Sequence, residues 1–204
     1  MLLALACLAA YLLGGIPFGL ILARLVLGVD IRLVGSGNIG ATNAARAFDT
    51  KAKRLAAFAV IYLLDFGKGF LPTFLLPPLI HGAASSAAVA VGCCAVLGHC
   101  FSPYLSLRGG KGVATGCGVF AAIEPWALLI ALVAFGCAYG LTRKVFVGSL
   151  TLGIALAVAV VVRDPATAFA ARASVTWSAL AVAGFFFFTH RSNLRQSLAK
   201  RPSA

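Results

Sequence analysis

The chain has 204 residues, of which 61% are hydrophobic and 11% charged, and it carries a formal net charge of +12. Its mean hydropathy is +1.01. Soluble domains carry about a quarter of their residues charged, so this composition excludes one, and a bilayer is the solvent that accepts the apolar remainder. The 17 Lys and Arg against 5 Asp and Glu could answer to nucleic acid, to anionic headgroups or to a phosphorylated substrate. In a membrane protein the plainest source of such an excess is topology, because Lys and Arg accumulate in cytoplasmic loops.

A membrane helix needs about twenty apolar residues, fewer inside a bundle. Residues 2–27, 55–80, 83–107, 113–123, 126–141, 147–162 and 174–188 meet or approach that requirement. They predict seven spans, of which 113–123 and 174–188 are short. The fourth and fifth could instead form one partly crossing hairpin pivoting at Glu124-Pro125. Residues 1–27 lack the basic n-region of a cleavable signal peptide, since Arg24 is the sole nearby cation, so a retained first span is expected.

Positive charges fall on alternate connections. Arg32, Arg46, Lys51, Lys53 and Arg54 follow the first span, Arg108 and Lys111 the third, Arg143 and Lys144 the fifth. Arg191, Arg195, Lys200 and Arg201 occupy the tail. The opposite connections carry Arg163 and Arg172 only. The asymmetry predicts an all-α integral membrane protein with the N-terminus outside and the C-terminus cytoplasmic, which requires an odd number of spans. No repeat or linker is evident, so residues 1–204 are expected to form a single transmembrane domain. Cys7, Cys93, Cys94, Cys100, Cys117 and Cys137 lie in or beside apolar stretches without CxxC spacing. They read as small packing residues rather than metal ligands or disulfide partners.

Polar density concentrates in the expected cytoplasmic segments. The first runs Asp30-Ile-Arg-Leu-Val-Gly-Ser-Gly-Asn-Ile-Gly-Ala-Thr-Asn-Ala-Ala-Arg46. Gly35, Gly37 and Gly40 allow backbone N–H groups to converge on an anion. Ser36, Asn38, Thr42 and Asn43 add neutral polar groups, and Arg46 adds a planar fork suited to phosphate. A merely polar interhelical loop is the alternative, but it leaves the glycine spacing without a reason. The second runs Gly98-His-Cys-Phe-Ser-Pro-Tyr-Leu-Ser-Leu-Arg-Gly-Gly-Lys-Gly112. Arg108, Gly109, Gly110, Lys111 and Gly112 immediately precede an apolar helix whose N-terminus is a ready anion site. Walker spacing is absent, so nucleotide hydrolysis is not indicated.

Thr142-Arg-Lys-Val-Phe-Val-Gly-Ser149 is by itself equally an ordinary basic turn. Thr189-His-Arg-Ser-Asn-Leu194 closes the last span, where a histidine is more often a helix-end cap than a catalyst. Asp65 and Lys68 lie three residues apart on one face of the second span and predict an ion pair near the active-site side, or else a functional pair. The histidines are His81, expected externally, His99 and His190. With no GxSxG elbow, no paired loop carboxylates and no metal-ligand spacing, what remains is a set of phosphate-binding cations and neutral donors opening onto lipid. That set suits joining a phosphorylated polar substrate to a hydrophobic one.

Gly35-Ser-Gly-Asn-Ile-Gly-Ala-Thr-Asn43 with Arg46, Gly98-His99 with Gly109-Gly-Lys-Gly112, Thr142-Arg143 with Gly148-Ser149, and His190-Arg-Ser-Asn193 together resemble the bacterial acyl-phosphate-dependent glycerol-3-phosphate acyltransferases, the PlsY family. Asp65-Phe-Gly-Lys-Gly69 is similar to that family's second-span motif. The resemblance implies a seven-helix enzyme of the bacterial inner membrane with its active site facing the cytoplasm. It would move a fatty acyl group from acyl-phosphate to the 1-hydroxyl of sn-glycerol 3-phosphate, giving lysophosphatidic acid and phosphate, the first step of phospholipid synthesis. No cofactor, metal or nucleic acid is implied, and a monomer in the bilayer is the simplest assembly.

Carried onto matching positions, Ser36, Arg46 and Lys111 would hold the phosphate of glycerol 3-phosphate, with Arg108 a further basic contact. His190 and Asn193 would meet the glycerol hydroxyls, and the catalytic set would be Ser36, Lys111, His190 and Asn193. Gly37, Asn38, Thr42, Asn43, Gly109, Gly110 and Gly112 would surround the acyl-phosphate head group, with His99 beside them and Ser149 a lesser contributor. Arg108 stands where the family commonly has lysine, Phe146-Val147 interrupt the third motif, and the tail lacks the family's common acidic ending. A small-anion transporter, a coenzyme A-dependent acyltransferase and a structural membrane protein are the competing readings. The first lacks internal repeats, the second lacks HxxxxD because Tyr104 occupies the acidic position, and the third explains none of the loop motifs.

Overall fold

The computed structural model describes residues 1–80 and 84–199, so His81, Lys200 and Arg201 lie outside the described residues. The described structure is helical throughout: α1 (Leu2–Gly15), α2 (Phe18–Leu27), α3 (Ala41–Ala44), α4 (Lys51–Leu75), α5 (Ala84–Cys100), α6 (Val113–Ile123), α7 (Pro125–Thr142), α8 (Val145–Arg163), α9 (Pro165–Ala168), α10 (Ala173–Thr189) and α11 (Arg191–Ala199). Thr50 caps α4 by accepting from the Lys53 N–H at 3.3 Å. Pro125 opens α7, where its missing N–H costs nothing. Gly28, at φ +68°, ends α2 in the left-handed conformation that L side chains avoid.

Every predicted span coincides with a helix or helix pair, but not all are long. By length and composition five stretches among the described residues could cross a bilayer, or six if α10 and α11, bent by 50°, count as one. Helix α6 has 11 residues and at 1.5 Å per residue is about 16 Å long, roughly half the hydrocarbon thickness. The first span is broken at Ile16-Pro17, because Pro17 has no N–H to continue the helical ladder.

By compactness the structure falls into two units, Met1–Ile123 and Glu124–Ala204. Their boundary is the tight passage from α6 into α7 over Glu124.

In the first unit α1 packs on α5 and α4 on α6. Both contacts are made by glycines meeting backbone. A Cβ on Gly98 would collide with the Tyr11 carbonyl, and one on Gly118 with the Phe66 carbonyl. Such close approach gives van der Waals contact that lipid, itself apolar, would not otherwise drive. A cluster of Leu20, Ala23, Ile31, Ile39, Ala41, Ala44 and Ile61 ties the first polar loop down onto α2 and α4.

In the second unit α7 packs on α8, where Gly148 faces the Phe135 ring, and α10 packs on α8, where Gly153 faces Phe186. Glu124 is buried between Arg163 and Arg172, with Arg172 at 2.5 Å.

The exterior is apolar, unlike that of a soluble protein. Leu25, Leu55, Val133 and Leu141 are exposed, while Asp65, Lys68, His99, Glu124 and His190 are buried. An apolar exterior, with the few ionisable side chains turned inward, is what a hydrocarbon solvent selects.

Candidate active site

In the first unit the two glycine-rich segments bring Arg46 and Lys111 together although they are far apart in sequence. Lys111 is half-buried, and its ammonium titrates below the ordinary lysine range, first because of burial and then because the Arg46 guanidinium repels it. Arg46 is exposed and, among the described residues, forms no ion pair. Two like charges drawn together form a basic patch suited to an anion. Arg108 is exposed nearby in sequence.

Asn43 shapes the first loop. Its side-chain amide is buried and donates to the carbonyls of Ile31, Val34 and Asn38, each at 2.9 Å, while its Oδ1 accepts from the Ser36 N–H at 2.9 Å. One side chain thus ties four backbone groups of a non-helical segment. Gly35, at φ +55°, takes a conformation that favours glycine. A Cβ there would also lie 2.6 Å from Asn43 Oδ1 and 3.3 Å from Arg46 Nη1, so the missing side chain makes room for the guanidinium.

The N–H groups expected to converge on an anion are partly engaged within the loop. Ser36 donates to Asn43, Gly37 donates to the Val34 carbonyl at 3.0 Å, and Gly40 reaches Asn38 Oδ1 at 3.4 Å. Ser36 and Gly37 remain exposed, while Asn38 and Thr42 are half-buried. Asp30 is paired by Arg32 and Arg24, at 2.6 and 2.7 Å. These arginines hold its carboxyl well below the usual range and occupy it away from Arg46 and Lys111.

The second segment folds back onto the end of α5. Gly109 N–H donates to the Cys100 carbonyl and Gly110 N–H to the His99 carbonyl, both at 3.0 Å. A Cβ on Gly110 would overlap His99 Nε2, so the imidazole lies directly beneath the loop. Gly112, at φ +80°, turns the chain from Lys111 into α6. The expected ion pair is present: Lys68 Nζ lies 2.8 Å from Asp65 Oδ1 and 2.8 Å from the carbonyl of Ile16, at the α1–α2 break. No sequence signal announces that last contact, since it joins positions 52 residues apart.

In the second unit His190 is buried at the end of α10, its Nδ1 2.9 Å from the Phe186 carbonyl. A carbonyl only accepts, so this bond holds the proton on Nδ1. Ser149 is buried and donates to the Val145 carbonyl at 3.0 Å. Asn193 lies on α11, half-buried. Among the described residues no three His, Cys, Asp or Glu side chains converge as a metal site would require.

Residues 4–200 match the family model described as glycerol-3-phosphate acyltransferase. The chain belongs to that family. A glycerol-3-phosphate acyltransferase from Anaeromyxobacter dehalogenans (strain 2CP-C) is 48% identical over 190 residues, covering 92% of this chain and 90% of the relative. Crystal structures of PlsY (YgiH), an integral membrane glycerol 3-phosphate acyltransferase, superpose on this fold. Its glycerol 3-phosphate form does so with a TM-score of 0.85 at 32% identity, over 98% of this chain and 93% of that one. Its lysophosphatidic acid form does so with a TM-score of 0.83 at 31% identity and the same coverage. The family member described here is therefore an all-helical integral membrane acyltransferase.

The loop geometry makes one stability prediction. Asn43→Asp keeps the size of the side chain but removes both N–H donors and turns a carboxylate toward three carbonyls. It should destabilise the protein by about 3 kcal/mol, read as a lowered unfolding midpoint in detergent. An unchanged midpoint would show that the amide does not hold the loop.

Proposed function

We propose that this protein transfers a fatty acyl group from acyl-phosphate to the 1-hydroxyl of sn-glycerol 3-phosphate. The observation that carries the reading is the convergence of two cations, Arg46 and Lys111, from two glycine-rich loops. An acceptor carrying a phosphate dianion would relieve that repulsion, and Ser36 offers a further donor beside Arg46. The motif match assigns His190 and Asn193 to the glycerol hydroxyls. It assigns Gly37, Asn38, Thr42 and the Gly109–Gly112 backbone to the acyl-phosphate head group, with Ser149 and Arg108 as lesser contacts. Asn43 serves that group by holding the loop that presents it.

Acyl-phosphate is an activated donor, so the protein's task is positioning and charge stabilisation rather than activation. The glycerol hydroxyl attacks the acyl carbonyl, the carbonyl–phosphate bond breaks, and phosphate leaves. No side-chain base stands out among the assigned residues, and the donor's own phosphate oxygens accept the hydroxyl proton.

The deciding experiment follows phosphate release from palmitoyl phosphate by the purified protein in lipid, with and without glycerol 3-phosphate. Release should depend on glycerol 3-phosphate, yield lysophosphatidic acid, and fall at least about a hundredfold in Lys111→Ala. Activity with palmitoyl-coenzyme A alone would overturn the donor, and silence with both would overturn the reaction.

The pH profile tests the Arg46–Lys111 convergence. Lys111 binds phosphate only while protonated, so kcat/KM for glycerol 3-phosphate should hold below its lowered pKa and fall as pH rises through it. Arg46→Gln removes the repulsion but not the burial, so the alkaline limb should move to higher pH as the overall rate drops. A limb that stays in place would refute the coupling.

We also infer seven crossings with the N-terminus outside and the tail in the cytoplasm of a bacterial inner membrane. Arg163 and Arg172, the two cations on the outer connections, are neutralised by Glu124, which sharpens the inward charge bias. In a chain freed of its native cysteines, Asp164→Cys should react with an impermeant maleimide in right-side-out vesicles and Asp49→Cys should not. The reverse pattern would invert the topology.

A further inference from the structure

Beneath the Gly109–Gly112 loop lies a buried polar cluster to which the proposed reaction gives no task. Asp65 and Lys68 of α4 and His99 of α5 are each almost wholly buried. Lys68 Nζ is held on three sides: by Asp65 Oδ1, by the Ile16 carbonyl, and by the Phe18 ring, whose centroid is 5.6 Å away. The same Asp65 Oδ1 faces His99 Nδ1 across 3.8 Å, too far for a hydrogen bond but close enough to orient the ring electrostatically. Among the described residues His99 Nδ1 has no hydrogen-bond partner, although its atom is buried. The opposite edge of the ring, Nε2, abuts Gly110, and the His99 carbonyl holds the Gly110 N–H.

A plain ion pair would not require an imidazole turned edge-on between a carboxylate and a glycine. A histidine that packed for its own sake would not leave Nδ1 without a partner while facing a carboxylate, since an orphaned buried polar atom carries a penalty. The carboxylate's field favours the tautomer with the proton on Nδ1, and the ring so oriented sets Nε2 against the loop.

We propose that Asp65, anchored by Lys68, and His99 form a positioning relay that sets the height and direction of the Gly109–Gly110–Lys111 backbone, and through it the Lys111 ammonium. The inference rests on the reading that Lys111 holds the phosphate of glycerol 3-phosphate. His99 acts from below the loop rather than on the substrate, which changes the contact role that motif matching alone assigns to it.

The test uses the full chain in lipid, with His99→Ala, the paired replacement Asp65→Asn with Lys68→Met, and all three together. The paired form removes both charges at once, because deleting one would leave the other buried and uncompensated. His99→Ala should raise KM for glycerol 3-phosphate about thirtyfold, as misplacing a binding group by a fraction of an ångström does, while leaving KM for palmitoyl phosphate within about twofold. The paired replacement should produce the same selective rise, and the triple form should be no worse than His99→Ala alone, since the groups act in series. His99→Gln, which keeps a polar group near the Nε2 position, should recover most of the loss and serves if the alanine variant does not fold.

A second readout needs no substrate: limited acetylation of Lys111, measured by peptide mass spectrometry against Lys51 and Lys53 of the same molecule. Lys111 reactivity should change in His99→Ala and in the paired replacement. Unchanged Lys111 reactivity, additive effects in the triple form, or equal losses for both substrates would overturn the relay. If the native chain fails to turn over, the functional reading falls and the acetylation pattern alone decides the relay.

Discussion

In hydrocarbon there is no water to satisfy a polar group, so each one taken inside must find its partner within the protein. Most of what positions the candidate site follows from that constraint. The α1–α2 break leaves the Ile16 carbonyl accessible, and Lys68 reaches it while pairing with Asp65. Residues 34–40 lie outside the helices, and Asn43 supplies donors to the carbonyls of Ile31, Val34 and Asn38 from one buried amide. Glu124, at the entry to α7, is met by two arginines. At the first two of these places a polar side chain takes over bonding that a continuous helix would have provided.

The arrangement separates rigidity from function. Asn43, Asp65 and Lys68 are saturated by the protein itself, whereas Arg46 stays exposed and without an ion pair among the described residues. The acids of the first polar loop do not reach the Arg46–Lys111 pair: Asp30 is clamped between Arg24 and Arg32, and Asp49 pairs with Lys53. With those carboxylates diverted, Arg46 and Lys111 are drawn together against their mutual repulsion. Close helix contacts through Gly98 and Gly118 give the loops a stiff base, because a backbone pressed against backbone has little room to shift.

Much of this was legible in the residues. Hydropathy alone locates the apolar helices, because an apolar stretch of such length has no stable setting in water, and the glycine-cation loops stand out for the same reason in reverse. The Asp65–Lys68 pair could be read from a spacing of three on one helical face. Less legible was the use of the loop's polar groups. Asn43 looks like a ligand donor in the sequence, and only its burial beneath Ile31, Val34 and Asn38 identifies it as the loop's internal support. The glycine-rich stretch suggested a nest of free N–H groups, yet those of Ser36 and Gly37 bond within the loop.

The sequence by itself determined the solvent, the helices and the chemical type of each loop, because these depend on local composition and spacing. Tertiary structure decided which distant residues meet. Arg46 joins Lys111, Lys68 finds the Ile16 carbonyl, and His99 lies between Asp65 and Gly110, through contacts no local pattern encodes. It also decided that the first span breaks at Pro17. Hydrophobic periodicity specifies that a segment is helical and apolar; only packing specifies its neighbours, because a side chain's partner is set by how helices cross rather than by its own sequence context.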